Sequence, residues 1–285
     1  VWLTPRRPVE LADVIHAAHE PDPVVSRTGG YVSLVKAVLA IGAGSTTGLY
    51  GPLVVLGASL AASTKRLLNL SPQYAEMALG AGVAAAISAA FSAPLAGILF
   101  AHEVVLRHYN LRFFAPVSLA SATAYVFSGE VLNQHISILP IFETRMAGPL
   151  DILWLMALGV IAGLVAVGVM RFVARLRLRL VGAALPVWLQ PALAGLGVGV
   201  LAHFAPAILG PGLDTISAMM QGEIAPSALL ILLVVKIIAA GLCLTLFFHG
   251  GIVAPALFIG AALGGVMAGF LTLLAPLTGY APDTA

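Results

Sequence analysis

Gly48-Leu49-Tyr50-Gly51-Pro52-Leu53-Val54-Val55-Leu56-Gly57-Ala58-Ser59-Leu60 recurs without a gap as Gly251-Ile252-Val253-Ala254-Pro255-Ala256-Leu257-Phe258-Ile259-Gly260-Ala261-Ala262-Leu263. Both stretches read G-x-x-small-P-x-x-x-x-G-A-x-L. Each follows a long apolar span with one lysine, Lys36 or Lys236, and upstream of each span lies an Asp-x-Ile segment, Asp13 to Ile15 or Asp214 to Ile216. Order and spacing agree, so the chain carries an internal repeat of about sixty residues per copy, the pattern of transporter folds built from duplicated halves.

Backbone physics says what such a stretch does. Proline in the first turn starts a helix at no cost, because its missing N–H would have no partner there. A small residue just before it lets the chain turn tightly and lets an ion approach. Up to four free N–H groups then point out of each helix start, with about half a positive charge from the aligned peptide dipoles. Two such starts, at Pro52 and Pro255, converging in a dry interior would bind an anion without a full positive charge. That moderation suits transport, since a buried Lys or Arg in contact with the ion would hold it too long for throughput.

Composition sets the solvent. Of the 285 residues, 60% are hydrophobic and 9% charged, with a mean hydropathy of +1.03. A soluble domain carries roughly a quarter charged residues, so most of this surface faces a bilayer. The net charge of +2 gives no footprint for nucleic acid. Cys243 is the one cysteine and lies in an apolar span, which leaves neither a disulfide framework nor a thiolate metal site. No His/Cys/Asp/Glu set has metal-ligand spacing, and no nucleophile, base and orienter stand together; the chain reads as neither an enzyme nor a cofactor protein. No apolar leader opens it, since residues 1–22 are rich in proline and charge.

The apolar segments run over 10–19, 32–48, 51–64, 75–90, 93–106, 114–128, 150–170, 187–206, 214–221, 226–247 and 253–274. Three of them, 51–64, 75–90 and 93–106, are too short to span ~30 Å of hydrocarbon at ~1.5 Å per residue and must be tilted, paired or re-entrant. Pairing 32–48 with 51–64, and 75–90 with 93–106, puts Arg6, Arg7, Arg27, Lys65, Arg66, Arg107, Arg112, Arg171, Arg175, Arg177 and Arg179 on one side. Glu130, Glu143, Arg145, Asp151, Asp214 and Glu223 fall on the other. This asymmetry obeys the positive-inside rule and gives the two copies opposite orientations. The expected architecture is a single all-α membrane domain over 1–285, with a first inverted repeat over about 8–128 and a second over about 150–274, built of tilted, broken and re-entrant helices. Lys36 and Lys236 lie within spans, where snorkelling or a structural partner is the expectation.

At these residues the sequence resembles the CLC family of chloride channels and chloride/proton antiporters. Gly48-Leu49-Tyr50-Gly51-Pro52 stands in the place of the family's G-[K/R]-E-G-P, and Gly251-Ile252-Val253-Ala254-Pro255 matches its G-x-F-x-P. Residues Gly80 to Glu103 (GAGVAAAISAAFSAPLAGILFAHE) resemble the family's small-residue helix pair ending in F-x-x-E, and Gly210-Pro211-Gly212-Leu213-Asp214 fits its pattern ahead of a short helix. The resemblance implies transport of chloride or a similar small anion. The backbone amides of Leu49, Tyr50, Gly51, Ile252 and Val253 would be the anion donors, shaped by Gly48, Pro52, Gly251 and Pro255. It also implies a homodimer paired through faces including 93–106 and 114–128, with a pore in each subunit. By the family's layout the chain lacks the opening helices and the closing four, so the central tyrosine ligand has no counterpart to assign.

The departures carry the finer expectation. Tyr50 occupies the place of the family's gating glutamate and is the candidate gate; a phenol titrates at about pH 10 and does not cycle protons at neutral pH. Leu49 replaces the usual basic neighbour. Glu103 is followed by Val104, where the family's antiporters carry the inner proton glutamate. Both proton stations are lost, so passive, proton-uncoupled anion movement is expected. Where the family has G-S-G-x-P this chain reads Pro8-Val9-Glu10-Leu11, and Glu10 would repel an anion if it faced the pathway. Glu103 is expected to pair with Arg107 at i, i+4. His102 and His249 titrate near neutrality when unperturbed, but lone helix histidines more often pack than relay protons. Cys243 and Met219-Met220 read as core or lipid-facing. Two alternatives stay open: a member selective for fluoride or another anion, and a degenerate, non-conducting membrane protein with a structural or regulatory role. The compact loops point to a bacterial inner membrane.

Overall fold

The computed structural model describes residues 9–20, 25–71, 74–132, 149–182, 186, 188–246 and 250–278. Among them the fold is all-α: helices form and no strand does. Arg6, Arg7, Pro8, Glu143, Arg145 and His249, named above, lie outside the described residues.

The helices, in chain order, are α1 (Leu11–Ala18), α2 (Arg27–Gly42), α3 (Tyr50–Leu67), α4 (Ala75–Phe91), α5 (Pro94–Phe100), α6 (Leu111–Val126), α7 (Pro149–Gly182), α8 (Leu189–Phe204), α9 (Leu213–Met220), α10 (Pro226–Leu246) and α11 (Val253–Thr278). Proline stands in the first three positions of α3, α5, α7, α10 and α11, where it lacks only a hydrogen bond that no helix start can make. Wide π turns extend two helices, Ala101–Leu106 after α5 and Phe127–Val131 after α6.

Two boundaries differ instructively from the sequence reading. Helix α2 begins at Arg27 and ends at Gly42, so the small and hydroxyl residues of 43–48 lie outside the helix; Gly44 there adopts φ +92° and turns the chain. Helix α7 runs 34 residues, well past 170. The turns holding Arg171, Arg175, Arg177 and Arg179 prolong the apolar part as helix because nothing in them breaks one. Asp151–Leu180, Pro226–Leu246 and Val253–Leu273 are each long and apolar enough to cross a membrane.

The chain groups into two compact units, Val1–Leu39 with Leu49–Ile138 and His249–Gly251, and Ala40–Gly48 with Leu139–Phe248 and Ile252–Ala285. The first unit packs through small residues. A Cβ on Gly57 would lie 2.4 Å from the Gly82 carbonyl oxygen, and one on Gly82 would lie 2.4 Å from that of Gly57, so α3 and α4 meet backbone to backbone. Gly30 of α2 meets Ser59 of α3 as closely. With no hydrophobic drive between helices in lipid, such close approach and interhelical hydrogen bonds supply the association. Ser88 on α4 donates to the Ser121 carbonyl at 2.7 Å, and Ser121 on α6 donates to that of Pro94 at 2.8 Å. Val14, Val55, Leu79, Val83, Val105 and Val117 fill the core around this seam.

The second unit packs larger side chains. Ile216, Leu229, Leu233, Phe258 and Leu263 join α9, α10 and α11, with Leu158, Val165 and Val169 of α7 against them. A satellite cluster of Val198, Ile208, Ala239 and Cys243 ties α8 to α10. Cys243 and Met219 are core residues, whereas Met220 is exposed.

Candidate functional site

At the first break, Ser45, Thr46 and Thr47 form a buried extended link between the α2 turn and α3. Ser45 Oγ and Thr47 Oγ1 share a hydrogen bond at 2.9 Å. The Leu53 amide donates to the Leu49 carbonyl at 2.9 Å as the first bond of α3. The amides of Leu49, Tyr50 and Gly51 therefore have no acceptor within the helix, and Pro52 has no N–H. At the second break the Ala256 amide donates to the Ile252 carbonyl at 3.0 Å. The free set there is Ile252, Val253 and also Ala254, which motif reading omitted and hydrogen-bond register supplies.

The glycines of the two motifs meet. A Cβ on Gly51 would lie 3.3 Å from the Gly251 Cα and 3.7 Å from its nitrogen, and both residues belong to the first unit. Any side chain on Gly51 would press on that backbone. Gly48, Pro52, Gly251 and Pro255 are buried, and Ala254 is fully so.

Tyr50 leans on Phe91, the last residue of α4, with ring centroids 4.2 Å apart and planes at 29°. Such a stack contributes about 0.5–1.5 kcal/mol beyond area burial and fixes the phenol's place at the break. Phe91 is positioned in turn by the sharp stop after it, where Ser92 takes a left-handed φ of +50° and Pro94 starts α5.

Glu103 and Val104 sit in the π turn that follows α5. The expected Glu103–Arg107 pair does not form. The wide turn spoils the i, i+4 alignment, and Arg107 ends it in a left-handed conformation with φ +57°. Tyr109 Oη donates to Glu103 Oε1 instead, at 2.8 Å. That hydrogen bond raises the phenol's pKa above its ordinary value, with desolvation and the carboxylate's charge as smaller causes. His102 is fully buried; its Nδ1 donates to the His108 carbonyl at 3.0 Å, its ring stacks on Tyr109 and Phe114, and its Nε2 has no partner among the described residues. It is a packed histidine. Glu10 caps α1 from an exposed position, its amide donating to Asp13 Oδ2 at 2.8 Å.

Three features escaped the sequence reading. His108 Nε2 donates to Glu76 Oε1 at 2.7 Å and clips the 107–110 loop to α4; a loop histidine and a first-turn glutamate 32 positions apart carry no pairing signal. Thr46 Oγ1 and Thr245 Oγ1 are buried without a partner among the described residues, one ahead of each break. Lys236 takes the structural-partner arm of its expectation, and only the identity of the partners was illegible: it is fully buried, donating to the carbonyls of Ile208 at 2.8 Å and Gly210 at 2.9 Å, with its Nζ 4.4 Å from the Phe258 ring centroid.

Comparison with known proteins bears on this geometry. The chain is 31% identical over 262 residues to chloride channel protein CLC-e of Arabidopsis thaliana, covering 85% of this chain and 36% of that protein. It is 30% identical over 268 residues to the voltage-gated ClC-type chloride channel ClcB of Escherichia coli O81 (strain ED1a), covering 92% and 62%. The chain thus spans less than two thirds of the length of these relatives. The structure of a slow cyanobacterial Cl-/H+ antiporter superposes with a TM-score of 0.83 at 20% identity, over 99% of this chain and 68% of that one. That of a CLC-type fluoride/proton antiporter superposes with a TM-score of 0.65 at 25% identity, over 84% and 58%. A model of the voltage gated chloride channel family matches residues 4–285. With its broken apolar helices and paired glycine–proline restarts, this multi-pass integral membrane chain belongs to the voltage gated chloride channel, or CLC, family.

Proposed function

We propose that the protein containing this chain moves chloride or a similar small anion across a bacterial inner membrane, passively and without proton exchange, as a homodimer. The observation that carries the reading is the pair of glycine–proline breaks, each opening a helix whose first three amides are free of intrahelical acceptors. Amides at a helix start bind an anion through partial charges, tightly enough to strip water and loosely enough to release it. The two copies of the proposed inverted repeat, about 8–128 and 150–274, would contribute one break each.

The uncoupled half of the reading rests on chemistry at two positions. Tyr50, supported on Phe91, offers a phenol where a carboxylate would be needed to carry protons. Val104 offers no titratable group, and the neighbouring Glu103 is bonded to Tyr109. Two structural neighbours are proton antiporters, so coupling is the property to measure. Liposomes loaded with chloride and reconstituted with the full protein should release it without accompanying proton uptake. Near-stoichiometric proton movement would sink the uncoupled reading, and no release from folded protein would favour a structural or regulatory role. Competition by fluoride well above that by bromide and nitrate would favour a fluoride-selective member.

A further inference from the structure

Lys236 is the largest fully buried side chain among the described residues. Its ammonium donates to the Ile208 and Gly210 carbonyls and lies against the face of Phe258. All three partners suit a cation, and none could donate to the lone pair of a neutral amine. The surrounding chain is shaped to it. Gly210 and Gly212 take left-handed φ of +63° and +78°, which turns the carbonyls inward. A Cβ on Gly212 would strike the Phe258 ring at 2.7 Å and stand 3.3 Å from Nζ.

These three partners bear only partial charges, so they leave the ammonium's full charge in place. Phe258 is the sixth residue of α11, ~7.5 Å along the axis from Val253. Helical side chains lean toward the N-terminus, so its ring covers the turn facing the break. We infer that Lys236 is a fixed positive charge behind the second break, raising anion affinity at the start of α11 through its field, without touching the ion. The inference rests on the anion-transport reading. A cation held back by about one and a half turns and shielded by an aromatic ring adds attraction while the amides alone contact the ion.

Isothermal titration of the full protein with chloride, bromide and nitrate tests it, comparing wild type with Lys236→Met, Lys236→Arg and Phe258→Leu. A unit charge at ~10 Å in a medium of effective dielectric ~20 changes affinity about tenfold. Lys236→Met should weaken all three anions by about that common factor, since a single charge acts alike on every monovalent ion; Lys236→Arg and Phe258→Leu should stay within about twofold. A changed order among the anions would instead mark a deformed site and overturn the inference. So would unchanged affinity in folded Lys236→Met. If that variant does not fold, Phe258→Leu decides: retained affinity supports a field effect, and a tenfold loss with the charge still present overturns it. Wild-type protein that neither binds nor moves these anions would overturn the transport reading and the inference with it.

Discussion

The two breaks share a motif and differ in what secures them. Around the first, α3 is locked by contact: Gly57 lies on the Gly82 backbone, Gly30 on Ser59, and Tyr50 on Phe91. Around the second, Gly260, which holds the position of Gly57 in the repeat, has no atom within 4 Å of a Cβ built on it. There the security is electrostatic, through Lys236 and its two carbonyls. Lys36, the lysine of the corresponding span, stands 12 residues ahead of Gly48 where Lys236 stands 15 ahead of Gly251, and it is exposed on α2. One motif thus has two modes of support, so matched substitutions should have mismatched consequences.

The largest contrast should come from the glycines. Gly57→Leu places a side chain into the Gly82 carbonyl and the Ala86 methyl, and should abolish monodisperse protein on size exclusion, since backbone has nowhere to yield. Gly260→Leu should leave elution unchanged and shift the thermal midpoint little; equal damage by both would erase the distinction between the units. Next in size come the lysines. Lys236→Met strands two buried carbonyls and should cost about 2–4 kcal/mol in denaturant unfolding, while Lys36→Met, at an exposed position where a polar interaction contributes at most about 1 kcal/mol, should cost less.

Tyr50→Ala removes the proposed gate and should raise chloride efflux several-fold, whereas Val253→Ala, at the second break, should alter it less than twofold. A silent Tyr50→Ala would remove Tyr50 as the gate. The smallest effect lies outside the membrane. Because its folded pKa is raised, Tyr109 contributes stability that is fully present below the unfolded phenol's pKa and is lost as pH rises through the folded one. Tyr109→Phe should therefore lower the thermal midpoint slightly near neutral pH, since the phenol is exposed, with the difference vanishing at alkaline pH, and should remove one step at raised pH from the phenolate absorbance titration. A lost step at the ordinary phenol pH, not above it, would mean that the Glu103 bond does not hold in solution.

Much of this was readable before any coordinates. Repetition of G-x-x-small-P identified both helix restarts, because proline and glycine act through their own backbone limits wherever they stand. The deficit of charge announced the bilayer, and GAGVAAAISAAFSAPLAG announced close helix packing. Boundaries at restarts matched for the same reason: α3, α5, α10 and α11 open at or beside their prolines. The end of α2 did not, since the small residues of 43–48 close an apolar span and the chain leaves the helix only where Gly44 takes a positive φ.

What sequence alone determined, then, is every feature set by a residue's own backbone or by its solvent: the breaks, the apolar spans and the free amides at each helix start. Tertiary structure decided which partner each polar group found. Glu103 turned to Tyr109 because a π turn moved Arg107 away, and His108 reached Glu76 across 32 positions. Lys36 and Lys236 each lie in the apolar span ahead of a break, yet one is exposed and one is sealed among carbonyls. Local rules cannot distinguish them, because a buried charge is permitted or forbidden by acceptors that distant chain segments bring, and those are known only once the helices have packed.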